Sequence, residues 1–490
     1  MGVRSFLAGA LAALIVACGS GGGGSDPDAD GGPDDADAGA DSTALDCARK
    51  SGSRIRQVER VHSDDSDELL RLYDTELSVP CSFGAADDGS LRCLPQADGA
   101  PFAAGQIFYE DVDCTSSIAR LDDALGPDAP DYMRQAYVSD DGCEVRTRFA
   151  ELGNQLLVPA DATVYDGGCN AVTAGTNPYF QITADLAPAD LVEGTASWTD
   201  SGRVKQQKID GADGSRVCSL AMVDQDLDSA PCTLAAAEDG ATRCLPTPAS
   251  LDDAFGNDVC DEPVSFALLD ATCGEPSRYT TESTGGDCPK IRVRALLEEV
   301  DAVYQLGDTC EPIALDDNQT LFLEGPAVSG TSFSAFTPVY STPGDRLERV
   351  DLDNGEGLRL ATDLWRDPTF DSAWCSFQVA EDGLDRCLPV DSDVSPVAQV
   401  SSSVFYSDGA CGTQVKVGVP DLTCGREMPK YAVEIVDGET LVYESLATWE
   451  ADTLFENPGT CQAVADPTIY THLSAELAAA MFVSGTEMIE

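Results

Sequence analysis

The sequence predicts a mainly β protein made of three homologous segments of about 145 residues each, and three observations support this prediction. The word RCLP occurs at residues 92–95, 243–246 and 386–389. Cysteines in corresponding positions recur 141 to 151 residues apart. Apolar residues alternate with other residues in short stretches, and Asp-Gly pairs between these stretches supply the turns that hairpins need.

The number of strand-like stretches predicts the architecture. About eight stretches per segment would supply about six four-stranded sheets in all. We expect these sheets to close around an axis as a β-propeller, because a closed array leaves only short strand edges. The absence of linker-like sequence between the segments favours this array. Three tandem β-sandwich domains are the alternative.

RCLP is interpreted as the second strand of a hairpin that follows an Asp-Gly turn. In this interpretation the cysteine forms a cross-link and the leucine enters the core. The proline ends the strand, and the arginine pairs with nearby carboxylates. The alternative is that the three arginines form a ring that binds a ligand.

Shared words also mark the ends of the segments. Each segment opens near a glycine and a basic residue followed by an aliphatic residue, and each closes on Val-x-Gly-Thr. The predicted organisation is a signal peptide at 1–17, a disordered acidic Gly/Asp tether at 18–46, and segments at 51–200, 201–343 and 344–490.

The cysteine count predicts disulfides. Of the nineteen cysteines, eighteen remain if Cys18 carries a lipid, and an even number fits full pairing in an oxidising compartment. The sequence contains no Cys-x-x-Cys pair, which favours disulfides over zinc. Four columns recur, namely Cys81, Cys232 and Cys375; Cys93, Cys244 and Cys387; Cys114, Cys260 and Cys411; and Cys169, Cys310 and Cys461.

Four cysteines per segment allow three pairings, and the first with the second and the third with the fourth is favoured. The first two cysteines flank a short turn and can meet at little entropic cost. A strict two-residue hairpin would place them out of register, so a bulge or a longer loop is required. Cys273 with Cys288 is the simplest additional pair, and the partners of Cys47, Cys143, Cys218 and Cys424 stay open.

The N-terminus has the pattern of a secretory leader. One basic residue precedes an apolar run that is too short to span a bilayer as a mature helix. The run ends in Ile-Val-Ala-Cys at residues 15–18, which resembles the lipobox of bacterial lipoproteins. This resemblance implies that Cys18 is lipidated, that several acyl chains anchor the protein, and that Gly19 directs it to an outer membrane or cell surface. An ordinary leader with a stray cysteine is the alternative.

Charge argues against two classes of partner. The formal net charge is −57, with 86 acidic and 29 basic residues. Such a chain repels nucleic acid and anionic lipid head groups. We therefore expect no nucleic-acid partner and membrane contact only through the lipid. The Gly- and Asp-rich stretch at 18–46 has too few apolar side chains to fold, so it should act as a flexible tether.

A search for chemistry identifies no catalytic residue and no metal ligand. The only histidines, His62 and His472, lie in no recognisable motif and are expected at the surface. Carboxylate pairs could hydrolyse glycosides, but so many acidic residues single out no pair. Calcium is the only cofactor with candidate sites, at residues 351–356 and 224–228, where solvated turns are the alternative.

The lipobox, the acidic tether and the repeated Cys-x11-Cys-Leu-Pro (DGxxRCLP) words together resemble a group of uncharacterised cell-surface lipoproteins of myxobacterial type. The resemblance extends from about residue 51 to the C-terminus, although the second segment lacks the Phe after its first cysteine. It implies location and architecture but carries no active-site residues.

Two functions follow as hypotheses. The first is a lipid-anchored, non-enzymatic scaffold outside the cytoplasm that binds a protein or glycan partner. The second is a carboxylate-dependent glycan hydrolase on a β-propeller. The hydrolase would require two carboxylates about 5 to 10 Å apart in a deep central pocket, one of them with a strongly raised pKa.

Overall fold

The protein is mainly β. The computed structural model describes residues 47–490 apart from 48, 97, 100–101, 123–129, 140–141, 201, 271–276, 286–289, 307–308, 316–317, 393, 424–425, 451–452, 458–459 and 466–468. The predicted leader, the tether and Cys18 lie outside the described residues, as do Cys273, Cys288 and Cys424. Short 3-10 turns occur at Pro188–Asp190, Gln225–Leu227, Gly330–Ser332, Pro368–Phe370 and Ala479–Met481.

The described strands follow one another closely along the chain. Up to residue 198 they are β1 (Ile55–His62), β2 (Asp67–Asp74), β3 (Val79–Ala85), β4 (Leu91–Pro95), β5 (Asp98–Gly99), β6 (Phe102–Tyr109), β7 (Ser117–Leu121), β8 (Tyr132–Val138), β9 (Val145–Leu156), β10 (Thr163–Tyr165), β11 (Ala171–Thr173), β12 (Tyr179–Asp185) and β13 (Gly194–Trp198). Up to residue 341 they are β14 (Val204–Gly211), β15 (Arg216–Asp224), β16 (Ala230–Ala236), β17 (Thr242–Pro246), β18 (Leu251–Phe255), β19 (Pro263–Asp270), β20 (Tyr279–Ser283), β21 (Ile291–Val300), β22 (Tyr304–Leu306), β23 (Cys310–Pro312), β24 (Gln319–Val328) and β25 (Ala335–Ser341). The remaining strands are β26 (Glu348–Asp353), β27 (Arg359–Asp367), β28 (Ala373–Val379), β29 (Asp385–Pro389), β30 (Val397–Val400), β31 (Phe405–Tyr406), β32 (Gln414–Val415), β33 (Val417–Val419), β34 (Tyr431–Val436), β35 (Glu439–Thr448), β36 (Phe455–Glu456), β37 (Gln462–Ala463), β38 (Thr471–Glu476) and β39 (Ser484–Ile489).

One sheet of fifteen strands dominates the fold. Its order is β13-β14-β15-β16-β17-β25-β26-β27-β28-β29-β39-β1-β2-β3-β4. The chain passes through this sheet three times, each time with four consecutive strands and one strand that returns later. We call these the first pass (β1 to β4 and β13), the second pass (β14 to β17 and β25) and the third pass (β26 to β29 and β39).

The two end strands of the large sheet, β4 and β13, lie next to each other. An isolated bridge joins Arg92 of β4 to Glu193, the residue before β13, and Cys93 N donates to Val192 O at 2.9 Å. Within the sheet the last strand of the chain, β39, pairs with the first, β1. The sheet therefore forms a ring in which the third pass is followed by the first.

Smaller sheets lie between the fourth strand and the returning strand of each pass, and we call these segments inserts. The first insert (residues 96–193) has the order β11-β10-β6-β7-β12-β9-β8, and an additional β6–β8 pairing completes a circuit of five strands. The second insert (residues 247–334) has the order β20-β21-β24-β19-β18-β22-β23. The third insert (residues 390–483) contains a closed five-stranded barrel, β30-β33-β38-β35-β34, and the sheet β32-β31-β36-β37.

The described strands do not form the predicted six four-stranded sheets of a propeller, nor three separate sandwiches. The reason is the pairing of the returning strands. β13 pairs with β14, β25 with β26, and β39 with β1, so each pass continues into the sheet of the next. The expected boundaries near residues 200 and 343 consequently fall inside hairpins of the large sheet.

Each pass carries one disulfide between its third and fourth strands. In the first pass Cys93 lies opposite Phe83, two residues from Cys81, so the cysteines are diagonal neighbours on one face. The connecting loop is closed by Ala86 N, which donates to Ser90 O at 2.9 Å, and is therefore longer than a two-residue turn. The bonds are Cys81–Cys93, Cys232–Cys244 and Cys375–Cys387, which join the first column to the second.

The other described disulfides join the inserts and the N-terminal segment. The third column is bonded to the fourth through Cys114–Cys169, Cys260–Cys310 and Cys411–Cys461. Cys47, which the sequence left unassigned, bonds to Cys218 in β15. This bond attaches the residues before β1 to the second pass, and Cys143 is also disulfide-bonded.

The start of each pass packs against the first hairpin of the next pass around the ring. Gly344 precedes β26, and a side chain there would come within 2.4 Å of Asp64 O in the β1–β2 turn. Gly202 precedes β14, has φ +81° and approaches Glu356 O in the β26–β27 turn, where a Cβ would lie 2.9 Å away. These close approaches explain why the segments open on a glycine.

The basic residue of each opening word forms a two-point ion pair with a buried aspartate at the end of the second strand. The Arg203 guanidinium donates to both oxygens of Asp224 at 2.7 and 2.8 Å. The same geometry joins Arg54 to Asp74, and Arg346 to Asp367. Such planar pairing is specific to arginine, so these words fix the first strand against the second.

The RCLP arginines connect the Asp-Gly turns to the returning strands. Arg386 donates to Asp382 at 2.6 Å and to Phe482 O, just before β39, at 2.7 Å. In the second pass Arg243 makes the corresponding bonds to Asp239 and Phe333 O. In the first pass Arg92 donates to Leu191 O at 3.1 Å and lies 3.5 Å from Glu193. The guanidinium groups of the three RCLP arginines thus donate hydrogen bonds within their own passes. This arrangement does not support a ring of arginines that binds a ligand.

Replacing Arg386 by Lys should destabilise the protein, because one ammonium group cannot bridge Asp382 and the Phe482 carbonyl together. We expect the free energy of unfolding to fall by about 2 to 3 kcal/mol, measured by denaturant titration without reductant. Arg216→Lys is the matched control, since that arginine is 41% exposed and its side chain pairs with Asp210. Equal losses in the two variants would contradict the role given to Arg386.

Removing the longest described cross-link should also be costly. Cys47 and Cys218 are 171 residues apart in sequence, and closing a loop of that length removes unfolded-chain entropy worth up to about 5 kcal/mol. The double variant Cys47→Ser/Cys218→Ser should therefore unfold at a clearly lower denaturant concentration. An unchanged midpoint would show that the N-terminal segment is not tied to β15.

Candidate functional site

An open pocket of about 410 Å³ lies on the third insert, beside the closed barrel. Its walls come from β38, from β35 and the residue that follows it, and from the junction of β32 and β33. The lining residues are Val415, Lys416, Tyr443, Trp449, His472, Leu473, Ser474, Ala475 and Glu476.

The local sequence of the barrel places these side chains. β34 and β35 form a tight hairpin whose two turn residues, Asp437 (φ 53°) and Gly438 (φ 89°), have the positive φ values that such turns need. This turn makes Glu434 and Tyr443 diagonal neighbours across the hairpin. Farther along, the pairing of β35 with β38 is irregular, and Trp449 N donates to Tyr470 O at 3.0 Å. Such irregularities redirect side chains, here towards the pocket.

One wall of the pocket is aromatic. The rings of Trp449 and His472 are stacked with centroids 3.7 Å apart and an interplanar angle of 22°. Trp449 is only 6% exposed and belongs to an apolar cluster with Phe405 and Leu454. Its indole Nε1 is buried and has no hydrogen-bond partner among the described residues. The stack therefore offers a flat ring, that of His472, on a rigid support.

Two other lining residues, Lys416 and Tyr443, form a closed triangle of polar groups with Glu434. Lys416 Nζ donates to Glu434 at 2.6 Å and to the Tyr443 hydroxyl at 2.8 Å. The Tyr443 hydroxyl donates to the same Glu434 oxygen at 2.9 Å. Lys416 also lies 5.1 Å from the centre of the Tyr443 ring, within cation–π distance.

These contacts shift the pKa values of the triangle. The hydrogen bond to Glu434 raises the pKa of Lys416. Burial acts to raise the pKa of Glu434, but the hydrogen bonds from Lys416 and Tyr443 outweigh it and hold that pKa below its usual value. Burial raises the pKa of Tyr443. At neutral pH the triangle holds one positive and one negative charge and a protonated phenol, so it is locally neutral.

At the rim of the pocket Glu476 lies against Glu381, which belongs to the Asp-Gly turn of the third pass. A hydrogen bond between the two carboxyl groups raises the pKa of Glu476 and lowers that of Glu381. Both residues are exposed to solvent. They therefore form a surface pair in direct contact, not the separated pair in a deep pocket that the hydrolase hypothesis requires.

Several carboxylates of the candidate calcium loops are engaged within the protein. Asp351 is fully buried and pairs with Arg349 at 3.0 Å and Arg359 at 2.8 Å. Asp353 accepts from Gly355 N at 2.6 Å, and Asp224 is held by its opening arginine. Within the described part of the chain there is no group of three or more potential metal ligands.

Sequence reasoning missed most of this site. The prediction of surface positions is wrong for His62, which is 3% exposed in the large sheet, whereas His472 lines the pocket. Lys416, Glu434 and Tyr443 carry no motif and meet only through the barrel. One feature of the sequence did point to this region: three of the four tryptophans and one of the two histidines lie in the third segment.

Comparison with known proteins places the chain in a family. Residues 36–441 match a family described as a family of unknown function (DUF7481). No match was found among curated proteins or among solved structures. In the described ranges no helix has the length and apolarity needed to cross a membrane. Since the match covers most of its residues, the chain belongs to this family of unknown function, DUF7481.

Proposed function

We propose that this protein is an exported, lipid-anchored, non-enzymatic scaffold whose third-insert pocket binds a neutral saccharide. The observation that carries the proposal is that the stacked Trp449–His472 pair lines the same pocket as Lys416 and Tyr443 of the Lys416–Glu434–Tyr443 triangle. Sugar rings combine apolar faces with many hydroxyl groups. They are accordingly bound by a flat ring together with fixed donors and acceptors.

Export is supported by the disulfides, which form and persist in oxidising compartments outside the cytoplasm. Anchoring is supported by the lipobox-like residues 15–18 and by the likeness of the sequence words to cell-surface lipoproteins of myxobacterial type. An outer-membrane or cell-surface location follows from the same likeness. The acidic tether then holds the folded part away from the lipid.

The three passes are proposed to be copies of one unit. Each has the same strand order, an arginine–aspartate pair at its opening, a disulfide between its third and fourth strands, and an RCLP arginine that binds the returning strand. A scaffold assembled from copies can keep one rigid frame while the inserts diverge. The pocket lies on an insert, where such divergence is tolerated.

Charge balance favours a neutral ligand. Lys416 is already neutralised by Glu434, and the net charge of −57 opposes the approach of anions. Cations would meet only a carboxyl pair at an open rim, where the ion would stay largely hydrated. A hydroxyl-rich ligand can instead share donors and acceptors with the triangle and stack on His472.

A screen of soluble protein starting at Asp46 against a glycan array, followed by calorimetry, tests the proposal. We expect binding that His472→Ala weakens about tenfold, because losing a ring contact costs roughly 1 to 1.5 kcal/mol. Lys416→Ala should weaken saccharide binding further, because this substitution also leaves Glu434 without its lysine partner. Lys430→Ala is the matched control, being an exposed lysine outside this pocket.

Absence of binding to any glycan, or equal affinity in all variants, would contradict the proposed function. Release of reducing sugar from a bound glycan would favour the carboxylate-dependent hydrolase instead. Glu476→Gln should leave saccharide affinity nearly unchanged, because Glu476 is occupied by Glu381 at the rim.

A further inference from the structure

The ring contains three junctions at which one pass meets the next, and we call them seams. Two seams lie within the chain, where β13 pairs with β14 and β25 pairs with β26. The third, the terminal seam, joins the last strand β39 to the first strand β1, in register from Val58 opposite Ile489 to His62 opposite Gly485. Unlike the strands of the other two seams, β1 and β39 do not follow each other in sequence.

The terminal seam differs chemically from the other two. In the first hairpin of the second pass Ile209 lies opposite Val217, and in that of the third pass Leu352 lies opposite Leu360. These aliphatic pairs pack towards the disulfide clusters of the preceding pass. In the first hairpin the corresponding pair is Arg60 opposite Glu68.

The charged pair is nearly buried and bound by the third pass. The side chains of Arg60 and Glu68 are 12% and 11% exposed. Trp365 Nε1 donates to Glu68 at 2.8 Å, and Arg60 donates to Asp385 at 3.1 Å. Arg60 also lies 5.1 Å from the centre of the Phe377 ring. This seam therefore depends on polar contacts where its counterparts use aliphatic packing.

His62 lies in the terminal seam, at the end of the β1–β39 register. Its ring stacks on Phe377 at 3.9 Å and meets the edge of Trp365 at 4.9 Å. Its Nδ1 is 2.8 Å from Ser66 Oγ, which itself donates to Asp64 at 2.7 Å. Since the serine proton points to Asp64, the imidazole proton must lie on Nδ1.

The other ring nitrogen of His62, Nε2, is buried and has no partner among the described residues. A second proton would therefore place a charge against two aromatic rings without an acceptor. The corresponding positions of the other hairpins are Gly211 and Asn354, whose backbone N atoms make the same turn hydrogen bond as His62 N. Neither of these residues can titrate.

The hydrogen-bond chain of His62 ends on the third pass. Asp64 accepts from Leu347 N at 2.7 Å and from Arg346 N at 3.3 Å, at the start of β26. Asp64 and Arg60 act on His62 directly. Arg60 pairs with Glu68 and Asp385 and lies opposite Glu487 of β39, and Asp64 accepts from Arg346 N. Asp67 lies opposite Val61, and Asp363 acts on Glu68.

We propose that the terminal seam is an acid-operated opening of the ring, in which protonation of His62 releases β39 from β1 while the other two seams stay closed. Burial lowers the pKa of His62 to about 4, with Arg60 adding to the shift and Asp64 opposing it. A released His62 would titrate at its ordinary value near 6.5. At neutral pH His62 is therefore unprotonated in both the closed and the open seam, and it does not destabilise the closed one. The closed seam loses stability as the pH falls from about 6.5 to about 4.

Glu68 acts in the opposite sense. Burial raises its pKa, so a proton taken up by Glu68 on acidification favours the closed seam. Burial acts to raise the pKa of Asp64, but the hydrogen bonds that Asp64 accepts hold it below the ordinary value of 3.8. The stability that ionised Asp64 gives the closed seam is therefore lost only below that pH. A comparison at pH 7.5 and pH 5 thus isolates His62 when wild type and a His62 variant are measured together.

Hydrogen exchange of the full-length protein, measured by mass spectrometry and corrected for intrinsic rates, tests the proposal. Between pH 7.5 and pH 5 the protection of β39 should fall by about 30-fold, as a shift from 6.5 to 4 requires. β13 and β25 are the internal controls and should keep their protection. His62→Gln should abolish the acid effect, and His472→Gln, which changes the other histidine, should leave it intact.

Equal acid sensitivity of β39, β13 and β25, or an acid effect retained in His62→Gln, would overturn the proposal. A second measurement does not depend on whether the His62 variant folds. The two histidines give two labelled imidazole signals, and His472→Gln identifies that of His62. The proposal requires this signal to titrate well below pH 6.5, and titration at an ordinary value would refute it.

Discussion

The pairing of each returning strand on both of its sides is the constraint on which the rest of the structure depends. β13, β25 and β39 each contact the fourth strand of their own pass and the first strand of the next. These contacts bring the two ends of the fifteen-stranded sheet together and leave less of its edges exposed. It also makes every pass depend on its neighbours, so the buried arginines and disulfides stabilise one ring and not three domains.

The sequence predicted the local parts of this fold but not its closure. RCLP reads correctly as a hairpin strand because turn chemistry and alternation act over a few residues. The contacts of β13 with β4 and of β39 with β1 join residues that are far apart in sequence. No local sequence pattern therefore indicates them. The propeller prediction therefore counted too few strands, since about eight per segment is well below the thirty-nine described, and it missed how they are assembled.

The same limit applies to the candidate site. Lys416, Glu434 and Tyr443 are adjacent only because a two-residue turn and a closed barrel bring three strands together. Nothing in their spacing distinguishes them from other charged residues in so acidic a chain. His62 was misjudged for a related reason, since its burial depends on Phe377 and Trp365 of the third pass.

We infer functional residues from the positions at which the three passes and their inserts differ from one another. The disulfides and the arginine contacts are shared and describe the frame. The polar terminal seam occurs once among the three seams, and the aromatic pocket is built from side chains of the third insert. This contrast separates residues that maintain the ring from those that can carry chemistry.

Cross-linking of β1 to β39 tests the ring most directly. Val58 and Ile489 lie opposite each other, next to a pair in which Glu490 N donates to Gln57 O at 3.0 Å. Peptide mapping of the non-reduced Val58→Cys/Ile489→Cys variant should recover one disulfide joining residues 58 and 489, with the native pairs intact. Two free thiols at these positions would show that the first and last strands are not neighbours and would contradict the closed sheet.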